Sequence, residues 1–226
     1  MMTRREWMAS FVAATGVAPG ILRSARRPGD KPNLLFLWTD EQRADTMAVY
    51  GKPTYRVPVM NRLASASVVF LRCYDTQPVC TPARSTVMTG TWPHTNGCVQ
   101  NNIPLQAETK TLVELLDDPD YYTGYFGKWH LGDEVFRQHG FHEWVSIEDI
   151  YTRYFSPGRD RSARSSYHHF LLELGYKPDT SDGKFSREFA VRLPLEHCKP
   201  AFLAREATRF ILENRRRPWV LYVNFL

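Results

Sequence analysis

Three short segments carry side chains whose types and spacing suit chemistry on an anionic ester. The first is Cys80-Thr81-Pro82-Ala83-Arg84, running on through Ser85-Thr86-Val87-Met88-Thr89 to Gly90. A cysteine opening a helix faces unpaired backbone N–H groups and the positive end of the dipole, a position that attracts anions. Arg84 follows one helical turn later on the same face, where its guanidinium can reach an oxyanion. Three residues separate Cys80 from Arg84, too few for the amide-lined loop of a cysteine phosphatase. The second segment is Gly127-Lys128-Trp129-His130-Leu131-Gly132. If it is extended, Lys128 and His130 point the same way and can face one site. The third is Asp40-Glu41, two oxygen donors suited to a hard divalent cation. Each segment also has a plain reading: a buried cysteine near a surface arginine, a solvated loop, surface acids. Asp45 is a reserve metal ligand that reads better as a surface acid. His94 reads as a turn residue, and the His168-His169 pair as solvated. His197 carries no specific signal.

The elements around these segments alternate between strand and helix. Asn33–Thr39 is a continuous apolar run of the kind buried on both faces of a parallel sheet. Asp40 and Glu41 then fall at the C-terminal end of a strand, where open α/β sheets place their ligands. Val57–Ala66 has helical periodicity, Val68–Tyr74 reads as a strand, and Ala83–Thr89 as a helix stopped by Gly90. Thr111–Leu116 reads as a helix and Tyr121–Phe126 as a strand. Residues 151–190 read as irregular, the sort of insertion that shapes a substrate pocket. Pro200–Asn214 is predicted helical, residues 215–218 a turn, and Trp219–Leu226 a second buried strand. The expected fold class is α/β, with a mainly parallel central sheet sandwiched by helices.

Composition narrows the partners. Residues 1–28 hold five arginines and one acid, so four of the five net positive charges sit there and the remainder is nearly neutral. That distribution argues against nucleic acid as a partner. The four cysteines, Cys73, Cys80, Cys98 and Cys198, form neither a C-x-x-C pair nor a zinc pattern. Arg4-Arg5 precedes a modest apolar stretch, Met8–Leu22, too short and weak to span a membrane. Residues 1–30 are therefore expected to be either a disordered leader or, as favoured here, an export leader of twin-arginine type, which delivers a folded protein to the bacterial periplasm or exterior. Stable membrane insertion is not expected. Residues 31–226 are expected to be the front part of a larger catalytic domain, because the chain stops within an apolar strand.

The order of these segments resembles the formylglycine-dependent sulfatases. Cys80-Thr81-Pro82-Ala83-Arg84 with Thr89-Gly90 resembles their C-x-P-x-R signature, and the Gly127–Gly132 segment their second signature. Asp40 resembles the start of their metal site, and Pro93-His94 and Gly97 follow the same pattern in order. The resemblance implies an alkaline-phosphatase-like fold and the hydrolysis of sulfate esters. It also implies a maturation enzyme that converts Cys80 to formylglycine, whose hydrate attacks sulfur and later expels sulfate. It further implies that Arg84 orients that group, that Lys128 and His130 bind sulfate oxygens, and that His130 can bond the spare hydroxyl. The cation, calcium or another divalent ion such as magnesium, would be held by Asp40, Glu41 and the modified Cys80. Glu41 departs from the second aspartate common in the family. The family's later metal ligands, and a further lysine and histidine, have no counterpart in the 226 residues, so the chain alone is expected to be inactive. Two alternatives stand beside this reading: a phosphate or phosphonate ester hydrolase of the same superfamily, and a non-catalytic sulfatase-like protein.

Overall fold

The structure is a computed structural model that describes residues 31–51 and 55–226. The predicted leader, residues 1–30, lies outside the described residues. Residues 42–73 form one compact unit, and residues 31–41 with 74–226 form another.

In the smaller unit, two single 3-10 turns, Ala44–Thr46 and Ala48–Tyr50, lead to helix α1, Pro58–Ser65. Pro58 occupies the first turn, where its missing N–H costs nothing. The Asn61 side chain accepts the Ala48 N–H at 2.9 Å and ties the turn to the helix. Asp45 pairs with Arg43 at the surface. The strand expected over Val68–Tyr74 does not form. Val68, Phe70, Leu71 and Tyr74 are all exposed, and among the described residues no neighbouring strand pairs with them. Apolar, β-prone residues make a strand only when a partner takes up their backbone hydrogen bonds.

The larger unit is built on four parallel strands in the order β1-β4-β2-β3. They are β1 Leu34–Thr39, β2 Tyr122–Gly127, β3 Glu143–Val145 and β4 Trp219–Phe225. Besides two single-turn helices, Pro93–Asn96 and Arg187–Ala190, the helices are α2 Cys80–Thr89, α3 Leu112–Leu116, α4 Ser166–Glu173 and α5 Lys199–Glu213. Alternate residues of the central strands enter two separate cores. Phe126, Leu221 and Val223 pack with Phe170, Leu171, Leu203 and Phe210 of α4 and α5. Tyr125, Val220 and Tyr222 pack with Met88 of α2, Val113 of α3 and Trp129. Coverage on both faces is why β4 reads as an unbroken apolar run. The mixed α/β class with a parallel sheet is the one expected.

Local signals explain several boundaries. Gly90 closes α2 in the left-handed conformation (φ 70°), its N–H bonded to the Thr86 carbonyl. Thr111 and Glu114 form a reciprocal capping box at α3. Leu203, Ala207 and Phe210 recur at helical spacing and give α5 its buried stripe.

Three expectations need correction. β1 is not buried on both faces: Leu34 to Leu37 are 43–57% exposed, and among the described residues its one strand neighbour is β4. Residues 151–190 are not wholly irregular. They contain α4, capped where the Ser165 side chain accepts the His168 N–H, with Tyr167, Phe170 and Leu171 turned inward. His168 is therefore buried rather than solvated, its Nδ1 3.4 Å from Asp149, while His169 is exposed. Among the described residues no helix is long and apolar enough to cross a membrane.

Candidate active site

The C-terminal ends of β1, β2 and β4 converge on one set of polar side chains. Asp40 follows β1 directly, and its N–H extends the ladder by bonding the Phe225 carbonyl. Its carboxylate lies between two cations: Oδ1 is 3.0 Å from Arg84 and Oδ2 is 2.8 Å from Lys128 Nζ. Burial would push the Asp40 carboxyl up, but Lys128 and Arg84 outweigh it and hold it below the ordinary carboxylate range. Arg84 is fully buried. It donates to the Lys128 carbonyl (2.6 Å), to Asp40 and to Asn224 Oδ1 (3.3 Å), and its guanidinium lies over the Trp38 ring. Its Nε has no partner among the described residues. Its two terminal nitrogens thus make three hydrogen bonds to fixed protein groups, which makes Arg84 the rigid tie of the site.

Cys80 starts α2 and is half-buried. Its Sγ is 3.7 Å from Lys128 Nζ and 4.0 Å from Glu41 Oε1. The ammonium of Lys128 therefore lies between the sulfur and Asp40. The helix start is less open than its sequence suggests, because the Asn101 side chain takes the Thr81 N–H at 2.9 Å. Glu41 is exposed and has a left-handed backbone (φ 53°), unusual for a residue with a side chain.

Lys128 and His130 do share the site's neighbourhood, but not by strand alternation. β2 ends at Gly127, and His130 adopts φ 57°. Glu134 enforces this turn: its buried carboxylate accepts the Trp129 N–H at 2.8 Å and the His130 N–H at 2.6 Å. Burial pushes the Glu134 carboxyl up to about 7 despite those two donors. The His130 ring stacks on Tyr151 at 4.2 Å, and its Nε2 is 2.9 Å from Asn102 Oδ1. Burial, with Lys128 and Arg84 nearby, lowers the imidazole to about 4, so it is neutral at pH 7. Thr81 joins the two segments, its hydroxyl donating to the His130 carbonyl and accepting the Asn102 N–H.

The structure thus brings together Asp40, Glu41, Cys80, Arg84 and Lys128, with His130 joined to them through Thr81. It does not recruit the remaining candidates. His94 stacks against Trp92, His197 bonds Tyr176, and Asp45 belongs to the other unit. Asn102, Glu134, Tyr151 and Asn224 escape sequence reasoning, since their places depend on loop conformation and strand register. For a divalent cation, Asp40, Glu41 and Cys80 offer ligand atoms all within 4.8 Å of one another. Two hard carboxylates there fit part of a calcium or magnesium shell.

This geometry has relatives. The sulfatase family model matches residues 32–226. An N-acetylglucosamine-6-O-sulfatase of Bacteroides thetaiotaomicron is 32% identical over 66% of this chain and 26% of its own length. An N-acetylgalactosamine-6-sulfatase of Canis lupus familiaris is 29% identical over 95% of this chain and 44% of its own. The solved phosphonate monoester hydrolase of Silicibacter pomeroyi shares the fold with a TM-score of 0.65, at 19% identity, over 87% of this chain and 41% of that one. The chain spans less than half the length of each of these proteins. With its family model matched from just before β1 to the last residue of the chain, the chain belongs to the sulfatase family.

Proposed function

We propose that this site hydrolyses sulfate esters of carbohydrates, with Cys80 as the position converted to the nucleophile. The observation that carries the reading is the convergence of Cys80 Sγ, the Lys128 ammonium and the Asp40–Glu41 carboxylates at one helix start. Formylglycine at Cys80 would supply an aldehyde hydrate, a nucleophile that can release its own sulfate. Lys128 is placed to neutralise charge on sulfate oxygens during transfer. Arg84, fixed by its hydrogen bonds, holds Asp40 in place and keeps the Lys128 carbonyl, and with it the segment after β2, in register. Asp40 and Glu41 would hold a divalent cation, calcium or magnesium, which polarises the sulfate when bound. The names of the sugar sulfatases among its relatives support a sulfated sugar as substrate. A cavity of about 450 Å³, lined in part by Pro104, Gly132, Tyr154, Phe155 and Arg159, offers room near the second signature segment. The pairing of Arg4 and Arg5 supports export, where sulfated polymers are met, and maturation by a formylglycine-generating enzyme belongs to the same reading.

Because the 226-residue chain alone is expected to be inactive, the test is turnover by the longer protein expected to carry it, as its native host makes it. Inorganic sulfate release from 6-O-sulfated N-acetylhexosamines is compared with hydrolysis of phosphate and phosphonate monoesters. Release of sulfate, lost in C80A and reduced about 10²–10³-fold in K128A, is the expected result. A preference for the phosphorus esters would replace this reading with the superfamily alternative. No hydrolysis of any ester would leave the non-catalytic reading.

A further inference from the structure

The segment that begins at Tyr151, whose ring stacks on His130, is strongly basic. Residues 151–164 hold four arginines, Arg153, Arg159, Arg161 and Arg164, against one acid, Asp160. Two of the four already have work within the fold. Arg159 pairs with Asp133 at 3.2 Å and lies over the Phe136 ring. Arg164 donates to the backbone carbonyls of Ser162 (2.8 Å) and Asp182 (3.1 Å), which ties the loop together. The lone acid is also engaged, since Asp160 Oδ1 accepts both the N–H and the hydroxyl of Ser162.

Arg153 and Arg161 remain. Both are exposed, and among the described residues neither has a carboxylate partner. They are nonetheless anchored at one place. The Arg153 guanidinium lies over the ring of Tyr154, 4.7 Å from its centroid, and Arg161 Nη1 is 3.5 Å from the Arg153 carbonyl oxygen. Stacking occupies the face of a guanidinium and leaves its N–H edge open, and that edge matches two oxygens of a sulfate or carboxylate. It also restricts a long side chain that binding would otherwise have to order. The place is close in the chain to the active site. The Tyr154 N–H bonds the Tyr151 carbonyl at 2.9 Å and closes Thr152–Tyr154 as a single 3-10 turn, so Arg153 belongs to the turn that starts from the residue covering His130.

We propose that Arg153 and Arg161 form a subsite for a second oxyanion of the substrate, a sulfate or carboxylate on a neighbouring sugar of the same chain. This rests on the sulfatase reading and narrows it: the substrate class is a multiply anionic oligosaccharide rather than a sugar bearing one sulfate. The ester to be cleaved meets Cys80 and Lys128, and the neighbouring anion meets the two arginines. Two exposed cations without acids attract such a chain and fix its direction, and the attraction weakens as salt rises.

The experiment is titration of the 226-residue chain with dextran sulfate, a polysulfated glucan, against unsulfated dextran. It needs neither formylglycine nor turnover, so it can succeed or fail independently of the sulfatase reading. Residues 1–28 also carry positive charge and are common to parent and variants, so the differences between variants are what is read. R153A/R161A should bind dextran sulfate about tenfold more weakly, the scale of two exposed ion pairs. R153K/R161K keeps the charge but loses the planar fork, and should fall between that variant and the parent. R215A/R216A removes the same charge from the exposed turn before β4, at the end of the sheet opposite Asp40, and should stay within about twofold of the parent. Unchanged thermal melts separate loss of binding from loss of the fold. Equal weakening in R153A/R161A and R215A/R216A would reduce the effect to net charge and overturn the proposal, as would unchanged affinity in R153A/R161A. In the longer protein, R153A/R161A should lower kcat/KM for multiply sulfated oligosaccharides about tenfold relative to a monosulfated N-acetylhexosamine. Sulfate release with that ratio unchanged would leave the sulfatase reading standing and overturn the subsite.

Discussion

Asp40 is the residue on which the site's charge balance turns. It is the shared anion of two buried cations, Arg84 and Lys128. Substituting Asp40→Asn keeps the shape but leaves both cations without their anion, so the variant should lose roughly 3–5 kcal/mol of stability. Urea denaturation checks this, and a loss under about 1 kcal/mol would mean the pairs are solvent-screened. Glu134 gives a second prediction through pH. Burial raises its folded value from 4.5 to about 7, so the stability present below 4.5 is lost as pH rises through 7. His130 has the opposite sign: its folded value is lowered from 6.5 to about 4, so its stability is present above 6.5 and lost as pH falls toward 4. The two offset each other in the wild type. Their separation is visible in E134Q, whose stability should rise more steeply with pH between 4.5 and 7 than that of the wild type, measured by thermal melts across that window. Equal slopes would show that Glu134 does not titrate there. Cys80, Arg84, Lys128 and Asp40 were legible in the sequence because each lies in a short segment next to an element boundary. Asn102 and Glu134 were not: an asparagine in a polar loop and a lone glutamate carry no pattern, and their roles arise from positive φ angles and backbone N–H groups.

Among the elements, β2 and β4 carry the tightest constraint. Gly127 ends β2 at φ 119°, and a Cβ there would lie 2.0 Å from the Asn224 carbonyl oxygen. Gly127→Ala must therefore push β2 away from β4, moving Lys128 and the oxygen to which Arg84 donates. We expect a loss above about 3 kcal/mol, or failure to accumulate as soluble protein, checked by yield and chemical denaturation. A variant as stable as the parent would contradict the register of this strand pair. Helix α5, strand β4 and the close of α2 at Gly90 were legible, since periodicity and a C-terminal glycine are local signals. The three-residue β3 is too short for any pattern. The exposure of β1 and the missing strand at Val68–Tyr74 were illegible for a different reason. An apolar run reports what a segment could bury, and its neighbours decide whether it does so.

Across the larger unit, the parallel sheet delivers three strand ends to one place, the general location of ligand sites in open α/β folds. Asp40 beyond β1, Lys128 beyond β2 and Asn224 within β4 meet around Arg84 of α2. Alternating strand and helix patterns sufficed to expect this class of fold. The strand order, with β4 inserted between β1 and β2, needed the structure, because residues 34 and 220 pair across most of the chain. The central claim is that Cys80 is the position converted to the sulfate-transferring nucleophile. It is tested most directly by mass spectrometry of protein purified from its native host, reduced and cleaved by trypsin. Cleavage after Arg72 and Arg84 releases residues 73–84, with Cys80 inside. A peptide whose Cys80 has lost its sulfur and gained an aldehyde oxygen is the predicted result. An unmodified thiol at Cys80, in cells that mature other sulfatases, would contradict the claim.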